Sequence, residues 1–294
     1  MKNILYYFYQ IIIPEDRIHD GYFSYQNHLF LLYKYQRKLD EIDELLKLNE
    51  EMLFNGYKVN KIIKNIYNKP LTMYDNNYYV LILVNYQYYD NNISNYMINS
   101  NQYDLLKRNN WDYLWSMKID YIEYQIRHFN NKYPLIQDSV NYYIGLSENA
   151  IKYFKMINKN NVLLYITHRR FNKDSFDNPL EFIIDYKVRD IAEYLKYCFF
   201  SNEKNIYEIK RYLKKINLGI IDYLLLYTRM LYPSFYFDKY DDIINNNQDE
   251  NILLDIINRS MEYEELLYEI YLIIKRKTNI ISITWINEKM VKNT

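Results

Sequence analysis

The chain has 294 residues, 49% of them hydrophobic, with 37 basic and 37 acidic side chains and a single cysteine, Cys198. This composition excludes a disordered chain, an intramolecular disulfide framework and a polycationic nucleic-acid or acidic-membrane binder. The 38 tyrosines are spread along the sequence without clustered Lys or Arg and read as amphipathic core edges rather than a stacking platform for bases.

The first run, Asn3–Ile13, is rich in aromatic and branched residues and is expected to be a first β-strand. Tyr and Gln interrupt it and no cleavage signature follows, so it does not read as a signal peptide. No stretch of 18 apolar residues occurs, so no membrane span and a cytoplasmic protein are expected. Tyr22–Tyr35 is a further strand region broken from the first by Gly21. Leu39–Phe54 carries Leu39, Ile42, Leu45, Leu46, Leu48, Met52 and Leu53 at helical spacing, and Gly56 is placed to stop that helix. A short element at Asn60–Tyr67 follows. Next come two strands flanking Asp75-Asn76-Asn77, a hairpin turn signal.

Beyond residue 90 the pattern becomes helical. Trp111–Phe129 and Ser139–Asn158 have long apolar stripes; Asn160–Ile184 reads as strand, loop, strand. Helices are expected at Arg189–Phe200, Glu203–Asn217 and Gly219–Leu231, then a loop at Tyr232–Asp238, then helices near Asp249–Arg259 and Met261–Lys277. A β-rich lobe over residues 1–90 followed by a helical lobe over 91–294 is an α+β, bilobal protein-kinase-like layout.

Phosphoryl transfer in such a layout requires a phosphate loop, a strand lysine, a catalytic loop with a base Asp, and a metal-binding Asp on the next strand. The phosphate loop is weak, because HDGYFSYQ contains one glycine, Gly21, and no G-x-G. Lys34, in FLLYKY, is the strand-lysine candidate for holding a cofactor, with Glu44 or Glu50 as its partner. In YITHRRF, His168 takes the place of a structural histidine, but Arg170 stands where the base Asp belongs. A guanidinium cannot accept the substrate's proton. Ser175 falls where a metal-binding Asn is needed; Asp174, with Asn172 near it, or Glu181 is left as the candidate replacement base. Asp185 ends the run Glu181–Ile184 and is the candidate metal and cofactor ligand, with Asp190 suited to cap the helix it opens. The four histidines share no ligand spacing, and the Glu262, Glu264, Glu265 and Glu269 group reads as a solvated helix face.

Several segments, in order, resemble the spore-coat kinase-like proteins of endospore formers, the CotS and YutH group, distant relatives of aminoglycoside and choline phosphotransferases. Tyr143–Ile151 resembles the helix before the catalytic loop, and Thr167–Phe171 an altered catalytic loop. Asp185–Tyr194 is similar to D-H-P-S-R-D-L-A-E-W, with Tyr186-Lys187-Val188 in place of His-Pro-Ser. Tyr227–Pro233 resembles Y-x-R-L-L-F-P, and Trp285 fits a closing aromatic. The resemblance implies a kinase-like fold, a location in the mother cell and spore coat, and other spore-coat proteins as partners. It does not imply catalysis. Combined with Arg170, it leads to the expectation of a pseudokinase. The alternative is an active small-molecule phosphotransferase using ATP and Mg2+ on a hydroxylated substrate.

Overall fold

The computed structural model describes residues 1–85, 102–129, 132–169 and 177–292. The chain divides into two compact units, Met1–Lys107 with Tyr165–Ile184, and Arg108–Leu164 with Asp185–Thr294. The boundary expected near residue 90 lies outside the described residues. The strand–loop–strand assigned by sequence to the helical lobe belongs to the first unit.

The first unit opens with a helix, α1 (Lys2–Tyr9), not the strand expected over Asn3–Ile13. The run changes period halfway. Ile4 and Leu5 recur with Phe8 and Tyr9 on one helical face, while Ile11 and Ile13 point inward and Ile12 outward, as in an extended segment. Gln10, at φ 56, makes the switch. Both halves pack on Phe23, Leu32 and Leu81, so burial overrides the strand propensity of the isolated segment.

The sheet is antiparallel. β1 (Tyr22–Tyr25) and β2 (His28–Lys34) form a hairpin around Gln26 and Asn27, both at positive φ. β5 (Asn77–Val84) is central, pairing β2 along one edge and β3 (Lys61–Ile63) and β4 (Thr72–Tyr74) along the other. The β4–β5 turn is Asp75-Asn76, at φ 48 and 57, as a two-residue hairpin loop of that hand requires. Gly21 is a structural break: φ is +86, and a Cβ there would lie 2.6 Å from the Leu32 carbonyl oxygen.

Helix α2 (Ile42–Phe54) buries Ile42, Leu45, Leu48, Asn49 and Met52. It ends at Gly56, with Gly56 N–H donating to Leu53 O and Tyr57 N–H to Met52 O, both bonds of a Schellman cap. The buried Asn49 amide ties the helix to β3, donating to Asn60 O at 2.7 Å and accepting from Ile62 N–H at 3.0 Å. β6 (Tyr165–His168) pairs β7 (Phe182–Asp185) in a separate two-stranded sheet.

The second unit is helical. α3 (Trp111–Ile126) packs on α4 (Pro134–Met156). α7 (Ile220–Leu231), buried over most of its length, is packed by α4, α5 (Val188–Phe200) and α10 (Ser260–Lys275). α6 (Ile206–Lys215) starts in a capping box of Asn205 and Glu208. Residues 232–238, expected as a loop, are mostly helical: only Tyr232 and Pro233 interrupt the chain before α8 (Ser234–Asn246). Proline at that point ends α7 yet suits the start of the next helix, and burial of Tyr236 and Phe237 holds the continuation. α9 (Leu254–Asn258) and α11 (Thr284–Lys292) complete the unit. Among the described residues no helix is long and apolar enough to cross a membrane.

Candidate functional site

In the first unit, His168 ends β6 and is buried, its ring edge-on to Phe182 at 5.5 Å. The next residue, Arg169, donates its backbone N–H to Glu181 O at 2.7 Å, joining the two strands across the loop. Arg170, Asn172, Asp174 and Ser175 lie outside the described residues.

Lys34 is exposed at the end of β2, opposite Tyr79. Neither expected partner meets it. Glu44 accepts the backbone N–H groups of Leu105 and Leu106, and Glu50 pairs with Lys64 at 2.9 Å. The buried cation in this region is Arg37, three residues on, which the sequence reading passed over. Its Nε donates to Glu41 Oε2 at 2.7 Å, and its NH1 donates to the carbonyls of Leu180 and Phe182 at 2.7 and 2.8 Å. NH2 lies 2.6 Å from the same Glu41 oxygen without hydrogen-bond alignment, and both side chains are 4% exposed. Burial pushes the Arg37 guanidinium down from its ordinary range, and Glu41 opposes that. One i,i+4 pair thus clamps the start of α2 to the backbone around β7. An Arg-x-x-x-Glu spacing just ahead of an apolar helix was its signal in the sequence.

In the second unit, Asp185 is fully buried. Oδ1 accepts from Trp111 Nε1 at 2.9 Å and from Tyr186 N–H at 2.8 Å; Oδ2 accepts from the same indole at 2.9 Å and from Arg189 NH1 at 2.8 Å. A carboxylate has about four lone-pair sites; three N–H groups reach this one, the indole N–H shared between both oxygens. Burial pushes the carboxyl up, while Arg189, Arg229, Trp111 and the Tyr186 N–H pull it down. Every group at its oxygens is a donor, so the ionised form is the one the geometry satisfies. The indole is itself held in place, with ring centroids 5.2 Å from Trp115, 5.3 Å from Phe154 and 5.2 Å from Tyr186.

Asp185 begins a ladder of alternating charge. Arg189, Glu193 and Lys196 follow Asp185 at spacings of four, four and three, which keep the three on one face of α5. Glu193 Oε1 accepts from Arg229 Nε and from Lys196 Nζ, each at 2.8 Å, and Oε2 accepts from Ser234 Oγ at 2.7 Å. Lys196 Nζ also reaches Ser234 Oγ at 2.6 Å and the carbonyls of Arg229 and Tyr232, both at 3.2 Å. A buried ammonium thus serves the carbonyls at the end of α7 where Pro233 breaks the helix. The Arg229 guanidinium lies 5.2 Å from the Trp111 ring and 5.6 Å from Trp115. Burial pushes Lys196 down to about 8, with Glu193 opposing. Burial alone would raise the Glu193 carboxyl, but Lys196 and Arg229 hold it well below the usual carboxylate range.

Asp190, expected to cap α5, lies buried in its first turn; the capping position is Lys187, whose side chain makes no cap bond. Cys198 is buried, as expected. Glu264 departs from the solvated face predicted for it: it is 3% exposed and bonded to Tyr142 and Lys289.

A family model described as "Spore coat putative kinase YutH" matches residues 2–270. The "Endospore coat-associated protein YutH" of Bacillus subtilis (strain 168) is 26% identical over 187 residues; that match spans 53% of this chain and 54% of the relative, about half the length of each. Two solved structures share the fold. An aminoglycoside phosphotransferase from Alicyclobacillus acidocaldarius superposes with a TM-score of 0.57 at 8% identity, over 90% of this chain and 97% of the other. The spectinomycin phosphotransferase APH(9)-Ia, solved with ADP and spectinomycin, superposes with a TM-score of 0.51 at 12% identity, over 92% and 96%. The antiparallel sheet, the helical second unit and the strand–loop–strand that follows α4 in sequence are therefore those of a kinase-like phosphotransferase fold, and the chain belongs to the YutH family of spore-coat kinase-like proteins.

Proposed function

We propose that the chain is a catalytically degenerate member of its family, a pseudokinase that serves the spore coat as a structural or interaction protein. The observation that carries this reading is Asp185. A kinase-fold metal carboxylate must turn lone pairs toward Mg2+ and the nucleotide phosphates. Here those lone pairs are taken by an indole, a backbone N–H and an arginine of the same helix, so Arg189 supplies the positive charge that Mg2+ would bring. A divalent ion does not fit at Asp185 without displacing Arg189 from a buried site. Arg170 supports the same reading from the sequence, since it fills the base position with a group that takes up no proton. The similarity to an endospore coat-associated protein supports the mother cell and spore coat as the location, with other coat proteins as partners.

Thermal melting of the full chain with and without Mg·ATP tests this. A nucleotide at 100 times its Kd adds about 2.7 kcal/mol to stability, and no such shift is expected at millimolar Mg·ATP. Transfer of the terminal phosphate of ATP to any acceptor, abolished by Asp185→Asn, would overturn the proposal and favour the active phosphotransferase instead.

A further inference from the structure

Helix α3 is apolar on two faces. Trp111, Trp115, Ile119 and Ile122 form its buried side. On the opposite side Tyr113, Met117 and Tyr124 are 59, 53 and 65% exposed, and Tyr121 and Leu114 beside them 50 and 39%. At 100° per residue these five fall on one outward stripe from residue 113 to 124, about 17 Å long. A surface helix ordinarily has one apolar stripe, turned to the core, and a polar opposite face; exposed apolar patches of several hundred Å2 mark interaction sites.

We infer that this stripe is the contact between two copies of the chain, with α3 packed antiparallel on its own symmetry mate. Three observations favour a second copy over a different partner. The first is area. With about 150–250 Å2 per large aromatic side chain, the exposed fractions amount to on the order of 500 Å2 per protomer. Doubled across a two-fold, that reaches the roughly 1,000 Å2 where specific interfaces begin.

The second is charge. The groove alongside the stripe is lined by Asp120, Glu148, Lys152 and Lys155, together with Ile151 and Met156. Two acids and two bases complement a copy of themselves, whereas a strongly charged partner would find no excess of either sign. The 37 basic and 37 acidic side chains of the whole chain likewise leave no net repulsion between copies. The third is symmetry. In an antiparallel α3–α3 contact centred near Ile119, Met117 of one copy lies opposite Tyr121 of the other, and Leu114 opposite Tyr124, so the stripe is its own complement. This inference does not depend on whether the chain binds nucleotide.

Sedimentation equilibrium of the full chain over a wide concentration range reads the result. The expected species has twice the 36.6 kDa chain mass. Met117→Glu and Tyr121→Glu each place a carboxylate, repeated by the two-fold, in the middle of the contact. Either change is expected to weaken dimerisation by on the order of 100-fold or more, since like charges juxtaposed in an interface cost several kcal/mol. The melting temperature of the monomer should be retained, because both side chains are already half exposed. Tyr207→Glu, on α6 at a residue 72% exposed, should leave the dimer intact. A wild-type chain that stays monomeric at every concentration, or a dimer that survives both α3 substitutions, overturns the inference.

Discussion

Replacing Asp185 by asparagine distinguishes a structural counter-ion from a metal ligand, because the two roles predict opposite signs. The substituted amide would keep the shape of the side chain but offer one acceptor oxygen in place of two. Its NH2 would then face donors, either the Trp111 indole and Tyr186 N–H or the Arg189 guanidinium. Arg189 is 7% exposed and would lose the carboxylate it donates to, with the more distant charge of Glu193 remaining. Breaking a buried pair by removing one partner costs about 3–5 kcal/mol, and a unit of this size loses roughly 2–4 °C per kcal/mol. The melting temperature should therefore fall by about 6–20 °C. Arg189→Gln added to Asp185→Asn should recover a substantial part of the loss, because the stranded charge is then gone. A carboxylate kept for catalysis behaves otherwise, since its removal relieves repulsion and leaves stability unchanged or higher. Differential scanning calorimetry of the wild type and both variants, with and without Mg2+, provides the comparison. An unchanged or raised melting temperature in Asp185→Asn, or a wild type stabilised by Mg2+, would refute the counter-ion role.

Three further expectations concern other parts of the structure. Glu193 has its folded-state carboxyl held below the ordinary value of 4.5, so the stability it confers is present above that pH and lost as the pH falls below it. The acid limb of melting temperature against pH should be flatter in Glu193→Gln than in the wild type; parallel curves would exclude the linkage. Arg37→Met would leave Glu41 buried and the Leu180 and Phe182 carbonyls without their donor. It should cost about 3–5 kcal/mol and accelerate amide exchange in β6, β7 and the start of α2; exchange unchanged there would show that the clamp does not support those elements. Gly21→Ala forces a Cβ against the Leu32 carbonyl at a φ of +86 and should destabilise the first unit by more than the ~1–2 kcal/mol of a left-handed backbone alone. A chemical-denaturation midpoint equal to that of the wild type would contradict this.

Where short-range rules act, residues and structure agree. The stop at Gly56 and the Asp75-Asn76 turn follow from backbone angles that few residues accept. The long helices α4, α5, α7 and α10 follow from apolar periodicity. The apolar run at Asn3–Ile13 and the segment 232–238 depart from expectation for a shared reason. Each contains a change of conformation, at Gln10 and at Pro233, whose far side is settled by what it packs against. Lys34 and Arg37 show the same limit among charged groups. Both stand near a strand end, and nothing local indicates that the guanidinium turns inward to two carbonyls while the ammonium remains exposed.

The sequence by itself determined the order of most elements, the family and the spacing of the charge stripe from Asp185 to Lys196. These are properties of order and spacing along one chain. Only the tertiary structure decided what that stripe meets. Arg229, Trp111 and Ser234 come from distant parts of the chain to complete it, and in a dry interior each carboxylate must be matched by donors wherever the fold can bring them. Asp185 could be read from the sequence as a metal ligand because its place at a strand end is local; its engagement by an indole 74 residues away is not.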